Sequence, residues 1–269
     1  MSRIHSFLHK AKILLKINWI KSAYINFRLL PFSQATRFPF IVRGKLKIRS
    51  LSGRVRLNCK PRFGMFGIGI DVDAMPISLV PAQLLIKGEL ILNGDVILNQ
   101  GANLVVWSRA TMILGNDVMI CSGVLLKAVN KVSVGDHVMI SSGCFIMDSS
   151  IHALYNLESL EVAPIHGEII IGNNVWFNMR TSIIKWGVVP NGCVTTQYTY
   201  IGKPFGMEDS NCLLAGQPAK VIKRNITQVH NLTTERYLNQ YFLRNRNSIS
   251  YKLNQNQIKE ENLCQKILR

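Results

Sequence analysis

Beyond residue 80 the apolar positions fall into a rhythm that belongs to neither a helix nor a hairpin. From Val80 an apolar residue returns at every sixth position, at Ile86, Leu92, Leu98 and Leu104. The rhythm shifts and resumes at Leu114, Ile120 and Leu126, then shifts again to Val134, Ile140 and Ile146. After a longer break it returns at Ile171, Phe177, Ile183 and Val189. A helical stripe repeats at about 3.6 residues and an alternating strand at about 2, so a period of six fits neither. It fits short strands joined by turns, three to a triangular coil, with the apolar residue inside. The next position is often small or turn-forming, as at Gly115, Cys121, Gly135, Ser141 and Gly172, which lets the chain bend at a corner. The position four on is often small or β-branched, as at Val96, Val118, Val124, Cys144 and Thr181. Coils stacked at about 4.8 Å would bury a continuous core that no single repeat could bury alone. The predicted fold is an all-β solenoid.

The flanks leave this rhythm. Residues 1–30 read as a basic, partly helical arm, with Ile13, Ile17, Ile20 and Tyr24 on one face and Lys10, Lys12, Lys16 and Lys21 around it. Pro31 and Pro39 break that pattern. Lys45-Leu46-Lys47-Ile48 and Arg54-Val55-Arg56-Leu57 alternate basic and apolar residues, so 41–79 read as short strands capping the first coil. Near the other end, 236–245 and 256–268 read as helices. The expected organisation is therefore a basic arm with capping strands over 1–79, the hexapeptide-repeat domain over 80–225, and a helical extension over 226–269.

Charge follows the same division. The chain of 269 residues carries a formal net charge of +17. Residues 1–62 hold 15 Lys or Arg and no acid, residues 63–219 hold 7 basic and 12 acidic, and 220–269 hold 10 and 3. A mildly acidic middle between basic ends excludes a uniformly basic, histone-like domain. No apolar run approaches the roughly 20 residues of a membrane-spanning helix, and no secretory signal pattern opens the chain. The six cysteines form no CxxC pair, so reduced thiols of a cytoplasmic protein are expected.

Four stretches carry a resemblance to a known family. They are Met147-Asp148-Ser149-Ser150-Ile151-His152, Ile171-Gly172-Asn173-Asn174-Val175-Trp176, Leu213 through Lys223 with its AGxPAKxIK pattern, and Tyr24 through Phe32. Together with the hexads they resemble the bacterial hexapeptide-repeat acyltransferases, which are left-handed parallel β-helices. The branch is the one that acetylates sugars of capsule, O-antigen or other surface polysaccharides. The resemblance covers nearly all of residues 20–225.

It implies acetyl transfer from acetyl-CoA to a sugar hydroxyl, with no metal required. His152 ends a run of hexads four residues after Asp148, and an eighteen-residue break, 153–170, follows it. Long breaks in a solenoid project from one edge and often build sites. The family's catalytic histidine lies in this D-x-x-x-H context. A neutral imidazole, ordinarily of pKa about 6.5, suits a general base near neutral pH. Asp148 either orients His152 or contacts the acceptor, or else is a corner Asp supporting a turn. Trp176 is expected to line the acceptor and cofactor cleft or to pack the loop on the prism. Asn178, Thr196 and Lys203 are further expected cofactor contacts. Gly216, Pro218 and Ala219 would shape the turn leaving the last coil, and Lys220, Lys223 and Arg224 suit CoA phosphates or form the solvated start of a basic helix. The chain departs from the family at Asn178, Trp186 and Thr196, where small residues usually let the pantetheine arm lie along the wall. Family members are typically homotrimers, so His152 would face cofactor groups of a neighbour.

Three alternatives stand beside this reading. A zinc enzyme of carbonic anhydrase type needs three converging histidines, and the middle region offers His137, His152 and His166. A scaffold that has lost CoA would account for the three departures. A nucleotide-sugar N-acyltransferase differs only in its acceptor. The basic first 62 residues suit contact with anionic lipid at the inner membrane face, or with an acidic glycan on a lipid carrier. No nucleic-acid reader motif is present, so a nucleic-acid partner is not expected.

Overall fold

The structure is a computed structural model and describes residues 14–70 and 80–267. Ile13, Lys10 and Lys12 of the expected arm, residues 71–79 of the expected capping strands, and Leu268 lie outside the described residues. The chain divides after Ile226 into two compact units.

The first unit is a three-sided prism of short strands. Its first sheet holds Phe40–Val42 (β1), Phe66–Ile70, Val96–Asn99, Val118–Ile120, Met139–Ile140, Trp176–Phe177, Val194–Thr195, Cys212–Ala215 and Lys220–Arg224. The second runs from Leu46–Ser50 to Tyr200–Ile201, and the third from Arg54–Leu57 to Val188–Val189. The chain visits the sheets in turn, coil after coil, and the described strands pair in parallel until Lys220–Arg224 folds back antiparallel on Cys212–Ala215. This is the all-β solenoid that the hexads predict, in keeping with a left-handed parallel β-helix.

The hexad residues stack in three core columns. One is Leu98, Ile120, Ile140 and Phe177. Another is Leu84, Leu104, Leu126, Ile146, Ile183 and Ile201. The third is Leu92, Leu114, Val134, Ile171 and Val189. All are buried. Two hexad positions depart: Val80 is more than half exposed and precedes the first strand after the break, and Ile86, though buried, pairs with Val106 while Leu84 takes the place beside Leu104. The residues four positions on, including Val96, Val124, Cys144 and Thr181, are also buried, so each side of the coil sends two side chains inward.

Polar residues stitch the edge where the third sheet turns into the first. Asn116 Oδ1 accepts from Asp95 N, Asp136 Oδ1 from Asn116 N, Asn173 Oδ1 from Asp136 N, and Asn191 Oδ1 from Asn173 N, at 2.7–3.0 Å. Each coil's corner amide is thus satisfied by the coil above it.

The prism begins earlier than the hexads suggest. Phe40–Val42, Leu46–Ser50 and Arg54–Leu57 form the first coil, and Phe66–Ile70, stacked on Phe40–Val42, opens the second. The end is closed by helix α1 (Trp19–Leu29), followed by the short α2 (Phe32–Ala35). Helix α1 buries Ser22, Ile25, Asn26 and Leu29, whereas Ile20 and Tyr24 of the expected face are exposed and Ile17 alone of the described three is buried. The reason is the open edge of β1. Asn26 donates to Phe40 O at 2.7 Å and accepts from Phe40 N at 3.0 Å, and Ser22 Oγ accepts from Val42 N at 3.0 Å. A sheet edge needs hydrogen-bond partners, so the helix meets it with polar side chains.

The second unit contains α3 (Leu232–Arg244) and α4 (Gln255–Ile267), where two helices are expected. Asn231 caps α3 by accepting from Thr234 N, and the buried Glu261 carboxylate accepts from His230 N and Asn231 N. Tyr237, Tyr241 and Tyr251 pack together beside them.

Candidate functional site

The breaks in the hexad rhythm fall on one edge. The shift after Leu104 is the corner 107–110, the shift after Leu126 is 128–130, and the long break after Ile146 is 148–168. All three lie where the second sheet turns into the third. The corners 185–187 and 202–205 follow on the same edge, one and two coils further on.

The long break is a hairpin standing on this edge. Tyr155 bridges Val162 in antiparallel fashion, and Ser149 bridges His166 at the root. Residues 151–164 are exposed. His152 sits where the hairpin leaves the prism. Its backbone is folded tightly: His152 N donates to Ser150 O at 2.7 Å, and Ser150 Oγ donates to His152 O at 3.0 Å. The preceding Ile151 has φ +63°, a left-handed conformation that strains a β-branched residue, and Ser149 Oγ accepts its amide at 2.9 Å. The strain turns the chain so that the His152 ring stands in solvent. Among the described residues no hydrogen bond engages that ring, so both nitrogens are open to a substrate.

Asp148 does different work. It is fully buried, and its two carboxylate oxygens accept from Val129 N at 2.7 Å and Asn130 N at 2.8 Å. It supports the corner of the coil below and makes no bond to His152. Of the roles expected for it, these bonds are those of the corner Asp supporting a turn.

The next coil pins the hairpin root. Lys185 Nζ donates to Ser150 Oγ at 3.2 Å and to Pro164 O at 2.5 Å. Trp186, half exposed at φ +71°, lays its indole against Gly167, where an added Cβ would come within 2.4 Å of the ring. His166 Nδ1 lies 2.9 Å from Ser149 Oγ. Neither Lys185 nor the serine contacts were singled out from the sequence; the clustering of the register shifts on one edge was the signal for them.

One coil beyond Trp186 lies a cleft of about 480 Å³ lined by Tyr200, Lys203, Phe205, Pro218, Ala219 and Lys220. Four expected cofactor residues, Lys203, Pro218, Ala219 and Lys220, meet here. Gly216 sits beside them, its carbonyl accepting from Tyr200 N, while Ala219 N donates to Tyr200 O. The basic segment is a strand, Lys220–Arg224, and not a helix start, because it pairs back on Cys212–Ala215. Lys223 is exposed on that strand, and Arg224 is held by Asp209 at 2.9 Å. Below the hairpin the same edge is also cationic, with Lys87 and Lys127 Nζ at 4.9 and 5.7 Å from the Trp107 ring.

Three expected residues lie elsewhere. Trp176 is on the first sheet, its Nε1 donating to Ser141 Oγ at 3.0 Å. Asn178 and Thr196 occupy the edge between the first and second sheets. Asn178 Oδ1 folds back to accept from Met179 N, and Thr196 Oγ1 pairs with Thr199 Oγ1. Within one chain these do not meet His152. Of the three departures, Asn178 and Thr196 thus turn onto their own corners, and Trp186 alone stands between the hairpin and the Lys203 cleft.

The three histidines of the zinc alternative do not converge. His137 lies on the third edge, 3.0 Å from Asp117, whereas His152 and His166 flank the hairpin root. The thiols offer no ready nucleophile at Cys144 or Cys193, where burial pushes the pKa up to about 11. Both donate instead to backbone carbonyls, of Asn178 and Asp209.

No family model matches the chain, and no curated protein matches its sequence. Solved structures do match. The polySia-specific acetyltransferase NeuO is 20% identical over 80% of this chain and 91% of its own, with a TM-score of 0.49. The polysialic acid O-acetyltransferase OatWY is 18% identical over 73% and 99%, with a TM-score of 0.40. AntD, an N-acyltransferase from Bacillus cereus solved with dTDP and 3-hydroxybutyryl-CoA, is 15% identical over 78% and 89%, with a TM-score of 0.39. By its own architecture, the chain is a parallel β-helix of hexapeptide coils whose long hairpin presents His152 on the edge that also holds the Lys203–Lys220 cleft.

Proposed function

We propose that the protein transfers an acyl group, acetyl in the first instance, from acyl-CoA to a sugar hydroxyl of a surface polysaccharide. The carrying observation is the exposed, unengaged His152 ring on the same prism edge as the Lys203–Lys220 cleft. The two are separated by two coils, about 10 Å along the axis. That distance is within the span of an extended pantetheine arm. The cleft suits the donor: Tyr200, Phe205, Pro218 and Ala219 offer apolar walls, and Lys203 and Lys220 offer charge for phosphates.

Neutral His152 accepts the proton of the acceptor hydroxyl as its oxygen attacks the thioester carbonyl. The tetrahedral intermediate collapses, the C–S bond breaks, and the imidazolium returns the proton to the departing thiolate. With Cys144 and Cys193 held as neutral thiols, direct transfer without an acyl-enzyme is the expected route. Trp186 borders the path between cleft and base. Trp176, Asn178 and Thr196 lie on another edge, so they reach a donor only from a second copy. This arrangement favours a homotrimer in which His152 of one copy faces that edge of its neighbour.

Reversing the cleft charges tests the donor site. Lys203→Glu combined with Lys220→Glu is expected to raise the KM for acetyl-CoA by about tenfold or more while changing kcat little, because the lysines bind phosphate far from the reacting carbon. Both side chains are exposed, so the melting temperature stays put. An unchanged KM would place the donor elsewhere.

A further inference from the structure

Helix α1 has two faces, and the closure of the prism uses only one. The other is turned to solvent and is strongly apolar. On α1 Ile20 is 85% exposed and Trp19, Tyr24 and Phe27 about half, and Leu15 just before it and Phe32 of α2 add 84% and 76%. Phe63, from the loop before the first sheet's second strand, joins them at 52%. These side chains are ordered against one another. Ring centroids run from Phe32 to Phe27 at 5.9 Å, to Phe38 at 6.1 Å, to Trp19 at 5.9 Å and to Phe63 at 6.2 Å. A ridge of five linked rings drawn from three segments is a preformed surface, and contiguous exposed apolar area of this kind marks an interaction site.

The charge around the ridge says what kind of partner fits. Lys16, Arg28, Arg37 and Lys60 are exposed nearby, and residues 1–70 contain no Asp or Glu. The acids paired to this region come from later coils, Asp95 at 2.8 Å from Arg62 and Glu89 at 3.1 Å from Arg54. The partner must therefore be apolar beneath and anionic above, over a wide area, and need make no shape-specific contact. A bilayer with anionic headgroups has that layering: aromatic side chains settle at its interface while Lys and Arg meet the phosphates.

We propose that this ridge docks the protein on an anionic lipid bilayer. The inference does not depend on the acyl-transfer reading. The ridge lies at the β1 end of the prism and His152 on the fifth coil, four steps or about 20 Å along the axis. Docking would thus leave the hairpin clear of the lipid.

Sedimentation of the full chain with vesicles tests it. The protein is expected to partition onto phosphatidylglycerol–phosphatidylcholine vesicles and far less onto phosphatidylcholine alone. At about 0.5 M salt the partition should weaken several-fold without vanishing, because the apolar share is not screened. Ile20→Glu with Phe32→Glu alters two nearly fully exposed side chains, and it should lower the partition about tenfold or more with the melting temperature unchanged. Brominated acyl chains should quench tryptophan fluorescence in the wild type and markedly less in Trp19→Phe. Failure to bind the anionic vesicles at low salt would overturn the proposal, as would binding that survives the double substitution. Burial of the ridge in a self-associated form, seen as loss of sedimentation with vesicles together with disulfide cross-linking between copies of Ile20→Cys, would overturn it too.

Discussion

Replacing His152 with alanine should lower kcat by about 10²–10⁴-fold, the range removed with a positioned general base. The KM for acyl-CoA should hold, because His152 lies two coils from the cleft lined by Lys203 and Lys220. The melting temperature should hold as well. The His152 side chain is exposed and makes no hydrogen bond among the described residues, and the tight turn beneath it is kept by Ser149, Ser150 and backbone atoms. Steady-state kinetics with a melting curve read all three quantities. Near-wild-type kcat would mean that another group takes the proton. His166 is then the next candidate, since it flanks the same hairpin root with Nδ1 on Ser149.

The opposite pattern is expected at Asp148. Asp148→Ala leaves the partly buried amides of Val129 and Asn130 without their acceptors, and each bond to a charged group contributes about 1.5–3 kcal/mol. The loss should come to about 3–5 kcal/mol, or roughly 10 °C of melting temperature for a unit of this size. Asp148→Asn keeps one acceptor oxygen and sets an amide donor against the other backbone N–H, so it should lose somewhat less. At temperatures where these variants remain folded, kcat should stay within about tenfold of wild type, because Asp148 does not reach the imidazole. A kcat loss beyond a hundredfold with an unchanged melting temperature would instead make Asp148 a positioning residue for His152.

These two residues show where the sequence was legible. The hexads mark the prism because each apolar position answers one local demand, a side chain pointing into a narrow core. The column from Leu104 to Ile183 meets that demand coil after coil. His152 was legible for a related reason, since a long interruption of a solenoid can only stand out from an edge. Asp148 was ambiguous because its partners, Val129 and Asn130, belong to another coil and no spacing along the chain points to them.

The first 70 residues misled for a physical reason. Ile17, Ile20 and Tyr24 follow helical spacing, yet α1 buries Ser22 and Asn26 because its task is to satisfy the open edge of β1. The strands at Phe40–Leu57 lack a clear hexad and still form a full coil, their alternating basic residues facing solvent. Trp176, Asn178 and Thr196 were grouped with His152 along the chain, and the three-sheet winding carries them to a different edge. Lys220–Arg224 reads along the chain as the start of a basic helix, and only its pairing with Cys212–Ala215 makes it a strand.

The proposed reaction requires acyl-CoA and a sugar hydroxyl to meet at His152. The most direct measurement is mass spectrometry of a surface glycan incubated with the full chain and acetyl-CoA, before and after mild alkali. Acetyl groups that alkali removes, as an ester requires, should appear on the sugar and be absent when His152→Ala replaces the wild type. Acetyl groups that survive alkali as amides, or a glycan left unmodified by the wild-type protein, would contradict it.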